Sequence, residues 1–369
     1  MSEIRVDNIT DEAGTGRPDF SNGIKTSNIN GGQVGGRRNL IINGAMQVAQ
    51  RGTSVTSNDS GYFVVDRFRQ FLGSRSGDTT FDVTQDSDSP DVFDKSLKIA
   101  VNTIGDTAPV TNSQRIEGQN LAGLGTGTPN ARTMALSFFV KSNVVGTYAI
   151  EFQARSETEL YRYVGNYTID ESGIWEAKQI VVLPLTEISV RNTNDVGLRV
   201  EFWLNDNNGN FSGDNTALEN WVDASTIDNS SRAAGQTATI GDSANDYWQI
   251  TGVQLEVGDT ATEFEHRSFG EELSLCQRYY SKISSVDCSA YSVSGENAPT
   301  FNFSYPQAMR ATPTITINRQ SNDSSNLSSI VQRNQTTDSF NLFLNRASTG
   351  MVSFGHNGNE ANFEMDSEL

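Results

Sequence analysis

The run Leu198-Arg199-Val200-Glu201-Phe202-Trp203-Leu204 decides the fold. Its apolar residues fall at 198, 200, 202 and 204, with Arg199, Glu201 and Trp203 between them. A period of two is the signature of a strand, because successive side chains point to opposite faces of a sheet. The pattern recurs at Leu97, Ile99 and Val101, at Met134, Leu136, Phe138 and Val140, and at Tyr148, Ile150, Phe152 and Ala154. Each run has one apolar side and one mixed side, which predicts sheets with one wet face. The phase slips at Gly252: Trp248 and Ile250 share one parity, Val253, Leu255 and Val257 the other. A glycine at such a slip predicts a β-bulge. Polar, glycine-containing loops at 205–214 and 228–234 separate the runs. Short strands at this spacing predict an antiparallel, jelly-roll-like β-sandwich over residues 40–265.

Composition agrees and removes several function classes. A chain of 369 residues is long for one domain and needs neither metal nor disulfide to bury a core. Its 36% hydrophobic content, 32 glycines and 19 phenylalanines suit a surface-rich β protein. A net charge of −18 with scattered cations is repelled by phosphate backbones and argues against nucleic acid as a partner. With two histidines and two cysteines, no zinc site of usual spacing can be written. HExxH, GxSxG and the P-loop are absent, as is any apolar run of membrane-spanning length. Met1 to Asp7 lack a signal-peptide core, and two thiols do not make a disulfide scaffold; both point to folding in a reducing cytoplasm.

Three further segments are legible. Residues 1–39 read as an extended arm: a strand signal at Ile4, Val6 and Ile9, then glycines too dense to supply a core. The arm carries Arg5, Arg17, Lys25, Arg37 and Arg38, and its backbone suits docking onto another protein's open sheet edge. Residues 266–285 contain one short helix, with Ser268 as N-cap and Glu271 completing a capping box. Leu273, Cys276, Tyr280 and Ile283 would share its buried face, Glu271 and Glu272 its first turn and Lys282 its end. Residues 286–369 return to strands around Phe301, Phe303, Ile315, Ile317, Phe340, Leu342, Leu344, Phe363 and Met365, a smaller C-terminal β domain. Its loops at 322–328 and 355–360 are candidate recognition loops, with a trimerisation or folding cap as the alternative role.

Sugar-binding sandwiches stack exposed aromatic rings on pyranose faces beside polar groups that bind hydroxyls. Trp203, on the polar parity of its strand, and Tyr161, Tyr163 and Tyr167 beside Arg162 form the candidate glycan-binding set. The reading favoured over it is that the same residues fill a second core face or a subunit interface, because tyrosine is also an interface residue. The 206–210 run opens like a calcium loop, but Phe211 stands where glycine is required and no Glu follows at the twelfth position, so it reads as a polar turn, with an irregular calcium site as the alternative. His266 reads as a structural hydrogen-bonding residue, His356 as a turn residue and Cys276 as a small buried hydrophobe. Paired carboxylates for glycoside hydrolysis are always writable in so acidic a chain, and none is selected.

Two blocks resemble a known family. Residues 39–52 (Asn-Leu-Ile-Ile-Asn-Gly-Ala-Met-Gln-Val-Ala-Gln-Arg-Gly), followed by 62–68 (Tyr-Phe-Val-Val-Asp-Arg-Phe), resemble the opening of a bacteriophage tail-fibre domain. Residues 250–258, 261–267 and 271–280 resemble its close, and the leader from Ile4 to Phe20 is similar to arms of marine and cyanobacterial phage fibres. The resemblance implies a jelly-roll fold, a homotrimer, a place on the virion tail and attachment to host surface polysaccharide or lipopolysaccharide. It carries over no catalytic residue and no cofactor. The resulting expectation is a non-enzymatic, multivalent attachment protein, assembled in the host cytoplasm and fastened through its arm to other tail proteins. A depolymerase tailspike and a structural appendage without ligand are the alternatives.

Overall fold

The computed structural model describes residues 28–29, 32–33, 37–72, 79–105, 108–293, 299–318, 324–354 and 361–369. The arm's strand signal at Ile4, Val6 and Ile9, His356 and the 355–360 loop lie outside the described residues, as do 322–323 of the other candidate loop. A two-residue ladder joins β1 (Asn28–Ile29) to β2 (Gly32–Gln33). The chain then runs through β3 (Ser54–Ser57), β4 (Arg69–Leu72), β5 (Thr80–Asp86), β6 (Ser96–Thr103) and β7 (Val110–Glu117). It continues with β8 (Met134–Ser142), β9 (Gly146–Arg155), β10 (Leu160–Ile169) and β11 (Glu176–Val182). β12 (Val196–Asn205), β13 (Val222–Asp223) and β14 (Tyr247–Val257) complete two six-stranded sheets.

One sheet has the order β13-β10-β9-β12-β7-β4 and the other β11-β8-β14-β6-β5-β3. The named strands pair antiparallel throughout, and the chain repeatedly crosses between sheets, which gives the jelly-roll-like sandwich that the alternation predicts. Inward-facing Phe138, Phe152, Phe202 and Trp248 pack between the sheets with the other apolar residues of the alternating runs. The slip at Gly252 is a bulge: pairing between β14 and β8 jumps from Thr251 to Gln254, and Gly252 has φ 62°. In β9 and β12, however, the mixed side is buried too. Residues 206–236 fold back over it, enclosing Trp203 with Ala149, Val164, Ala217, Ala233 and Ala234. Glu151 and Glu201, also on that side, share the Arg232 guanidinium at 3.0 and 2.9 Å.

Residues 39–50 close the sandwich by bonding to residues 253–280. The Leu40 amide donates to the Leu255 carbonyl at 2.8 Å, and the Val253 amide donates to the Gly44 carbonyl at 3.0 Å. Asn39 Nδ2 donates to the Val253 carbonyl at 3.0 Å. The Asn43 amide donates to Glu272 at 2.5 Å, and Arg267 donates to the Ile41 and Asn39 carbonyls. Residues 39–50 and 253–280 are thus the two halves of one joint.

The helix α1 (Phe269–Gln277) starts where expected, with the Glu271 amide donating to the Ser268 hydroxyl at 3.3 Å. It ends six residues before Ile283, the last residue the spacing places on it. Tyr280 and Ile283 lie in β15 (Tyr280–Val286), and Lys282 faces Glu364 across the ladder rather than capping a helix end. Helical spacing cannot register a partner strand some eighty residues away. Cys276 is fully buried against Ile42, Val48 and Tyr279, as a small hydrophobe.

The remaining strands are β16 (Cys288–Ser292), β17 (Thr300–Ser304), β18 (Thr314–Asn318), β19 (Ser324–Ser325), β20 (Leu327–Arg333), β21 (Ser339–Arg346), β22 (Gly350–Phe354) and β23 (Ala361–Asp366). They form the three-stranded sheets β15-β23-β18, β16-β22-β19 and β17-β21-β20. Phe340, Phe354 and Phe363 meet at the centre of a separate core, Phe354 stacked on Phe363 and Phe340 edge-on to it.

A carboxylate at the foot of β7 binds this unit to the sandwich and sets a pH dependence. Buried Glu117 accepts from Arg278 at 2.9 and 3.0 Å and from the Tyr279 hydroxyl at 2.6 Å. Burial alone would raise its pKa, but the Arg278 and Tyr279 hydrogen bonds outweigh it and hold the carboxyl below its ordinary 4.5. A depressed carboxylate contributes stability that is present above 4.5 and lost as pH falls through the folded value. Glu117→Gln is therefore expected to destabilise at pH 7, with the difference from the parent shrinking as pH falls towards 3. Parallel urea unfolding across that range checks it, and a difference that does not vary with pH would refute the assignment.

Candidate functional site

The outer face of the β11-β8-β14 sheet carries an open groove of about 610 Å3. Its floor is made by the bulge. A Cβ on Gly252 would lie 2.5 Å from Phe93 and 3.0 Å from Phe139, so only glycine at this φ lets both rings settle over the strand. Phe93 arrives from the loop before β6, Phe139 from β8, and Phe264 and His266 from the segment before the helix. Their rings form one cluster: Phe93 lies 5.5 Å from Phe139, 5.0 Å from Phe264 and 5.4 Å from His266, and Phe264 and His266 are 4.9 Å apart. Phe93 is buried, Phe139 and Phe264 half-buried and His266 exposed, so the cluster is anchored beneath and open above. His266 thus packs as one ring of an aromatic patch.

Polar groups rim the groove. Lys178, Gln179 and Glu263 line it beside Ala177, which pairs directly with Phe139. One step further along that register, Trp175 and Lys141 share the same face. Asp88 fixes both, accepting from Lys141 at 2.7 Å and from the Trp175 indole at 3.1 Å. The Lys141 hydrogen bond is the main reason the Asp88 carboxyl lies below its usual value. The arrangement is a rigid apolar strip with a cation, an amide and carboxylates at its margins. It suits a ligand with apolar faces and hydroxyl edges.

The residues selected from sequence lie elsewhere. Tyr163, Tyr167 and Trp203 are buried and cannot stack on a ligand. Tyr163 and Tyr167 fall on the inward parity of β10, where the Tyr163 hydroxyl donates to the Val181 carbonyl at 3.1 Å and the Tyr167 hydroxyl accepts from Trp248 at 2.9 Å. Tyr161, half-buried, packs against the same core. Arg162 faces the other way and is held by Asp228, Asn229 and Glu151. Trp203 lies under Phe211 and Arg232, at 5.1 and 4.9 Å, so these rings fill core faces. Phe211, the residue that breaks the calcium-loop pattern, is part of that lid. The sequence signal for the groove was the Gly252 slip; its aromatic members are scattered from 93 to 266.

No protein-family model and no curated protein matches the sequence. Among solved structures, the enzymatically active domain of tailspike protein 4 from bacteriophage CBA120 is similar at 15% identity and a TM-score of 0.33. That match covers 59% of this chain and 21% of the tailspike domain, so this chain spans about a fifth of its length. A CBM4 structure matches at 11% identity over 58% of this chain and 97% of its own, with a TM-score of 0.29. The family 11 carbohydrate-binding module from Clostridium thermocellum, in complex with a β-1,3-1,4-mixed-linked tetrasaccharide, matches at 8% identity over 57% and 97%, with a TM-score of 0.27.

Proposed function

We propose that this chain attaches a bacteriophage tail to host surface glycan by non-catalytic binding in the groove beside Gly252. The observation that carries the reading is the aromatic strip of Phe93, Phe139, Phe264 and His266, mounted on a rigid sheet and rimmed by Lys178, Gln179 and Glu263. Sugar rings stack on such a strip while the rim binds hydroxyls. The virion role rests on the resemblance of residues 39–52 and 250–280 to tail-fibre domains. In that setting the chain assembles as a homotrimer, the 1–39 arm fastens it to other tail proteins, and three weak grooves act together as one firm attachment.

Phe139→Ala and Trp175→Ala are expected to weaken binding of host polysaccharide about threefold to tenfold each, with unfolding curves near those of the parent. Isothermal titration with purified host polysaccharide, alongside adsorption competition on host cells, checks this. Undiminished binding in both variants would remove the groove from the reading. Release of reducing ends from the polysaccharide would replace attachment by depolymerisation.

A further inference from the structure

Five arginines, Arg115, Arg155, Arg191, Arg199 and Arg310, line a second hollow of about 470 Å3 in a chain whose net charge is −18. It lies on the outer face of the other sheet, at the end not covered by residues 206–236. Arg115, Arg199 and Arg155 come from the neighbouring strands β7, β12 and β9. Arg199 stands directly opposite Arg115 in the ladder. Like charges in that position destabilise a sheet. Arg191 and Arg310 enter from loops, and Arg69 of β4 adds a sixth cation nearby.

The acidic side chains of the hollow do not balance this charge. Asp195 is the one acidic side chain among the lining residues; it is well exposed and sits 3.9 Å from Arg191 and 4.0 Å from Arg310. Glu201, two residues along β12 on the same face, pairs with Arg199 and is shared with Arg232. Arg115 donates to the Leu369 main-chain oxygen, and Arg310 to the Asn194, Ser367 and Glu368 carbonyls. The Arg155 guanidinium has no hydrogen-bond or ion-pair partner among the described residues, and the buried Nε of Arg199 has no acceptor. Desolvation, then Arg199, Arg191 and Arg115, push the Arg155 pKa down.

We infer that the arginine hollow binds an acidic sugar unit through its carboxylate or phosphate group. The guanidinium fork matches either oxyanion in a bidentate manner. The volume suits a small ligand rather than a polymer groove, and a long polyanion such as DNA would meet the negative charge of the rest of the chain. This inference rests on the reading of the chain as a glycan-binding protein and assigns the ligand class of a second subsite.

The test uses the full chain with a galacturonate trisaccharide and, separately, inorganic phosphate. Arg155→Glu reverses one charge without removing a structural contact, and Arg132→Glu reverses the charge of an exposed arginine that lines neither hollow. The expected result is trisaccharide binding that weakens with added salt, falls at least tenfold in Arg155→Glu and is unchanged in Arg132→Glu. Phosphate binding with the same dependence identifies phosphate-bearing glycans as an equal source of the anion. Absence of binding by both probes, or equal binding by Arg155→Glu and parent, overturns the inference. If neutral host glycan still binds through Phe139 in that case, attachment stands and only the acidic subsite falls. If no host glycan binds at all, the attachment reading fails separately.

Discussion

Arg67→Ala is expected to cost about 3–5 kcal/mol of stability, because it strands a buried carboxylate. Arg67 is 1% exposed and pairs with Glu368, donates to the Arg115 carbonyl at 2.6 Å and lies 3.4 Å from the Tyr279 ring centre. Burial pushes the Glu368 carboxyl up, opposed chiefly by Arg67 and then by Arg51 at 3.5 Å. Removing Arg67 leaves only the weaker partner. Urea unfolding of Arg67→Ala, Glu368→Leu and the double variant Arg67→Met/Glu368→Leu separates the possible origins. The double variant should be far closer to the parent than Arg67→Ala, since apolar replacement of a whole buried pair is often neutral. A loss in the double variant as large as in Arg67→Ala would show that packing, rather than the stranded charge, sets the cost.

Gly44→Ala is expected to destabilise by about 3 kcal/mol or more. A Cβ there would lie 2.1 Å from the Val253 carbonyl oxygen and 3.1 Å from its carbon. Val253 cannot yield easily, because its amide donates to Gly44 and its carbonyl accepts from Asn39. Overfilling against fixed backbone is among the more damaging single changes. Gly270 supplies the control: an added Cβ meets nothing within 4 Å in the first turn of α1, so Gly270→Ala should be neutral or stabilising by up to about 1 kcal/mol. Thermal unfolding of both variants decides the matter, and a Gly44→Ala melting curve matching the parent would contradict the geometry of the joint.

Local period was enough to read the strands and the bulge, because alternation and a single glycine slip are properties of adjacent residues. What failed was anything set by a distant segment. Trp203 looked exposed from its strand parity, yet residues 206–236 return over it. Tyr280 and Ile283 fitted a helical face, yet β23 pairs with them as a strand. The aromatic groove draws on residues 93, 139, 264 and 266, and the arginine hollow on 115, 155, 191, 199 and 310. Neither leaves a cluster in the sequence, since sheet register and the loops that return over the sheets bring their members together. The mixed-parity residues of β9 and β12 marked a face that was polar in type, and only the tertiary cover showed that part of it was dry.

The joint between residues 39–50 and 253–280 also dictates an order of events during synthesis. Asn39 must wait for an acceptor 214 positions later, and Arg67 for a carboxylate 301 positions later. At ribosomal rates of about 5–20 residues per second, the first wait alone lasts roughly 10–40 s. Throughout it, Ile41, Ile42, Met46 and Val48 emerge without the surface that buries them. Loop closure over such distances is slow, and uncovered strand edges are prone to the wrong pairing. The nascent chain therefore holds the apolar 41–48 segment in reserve until residues 253–280 have been made, and a chaperone has that interval in which to engage it.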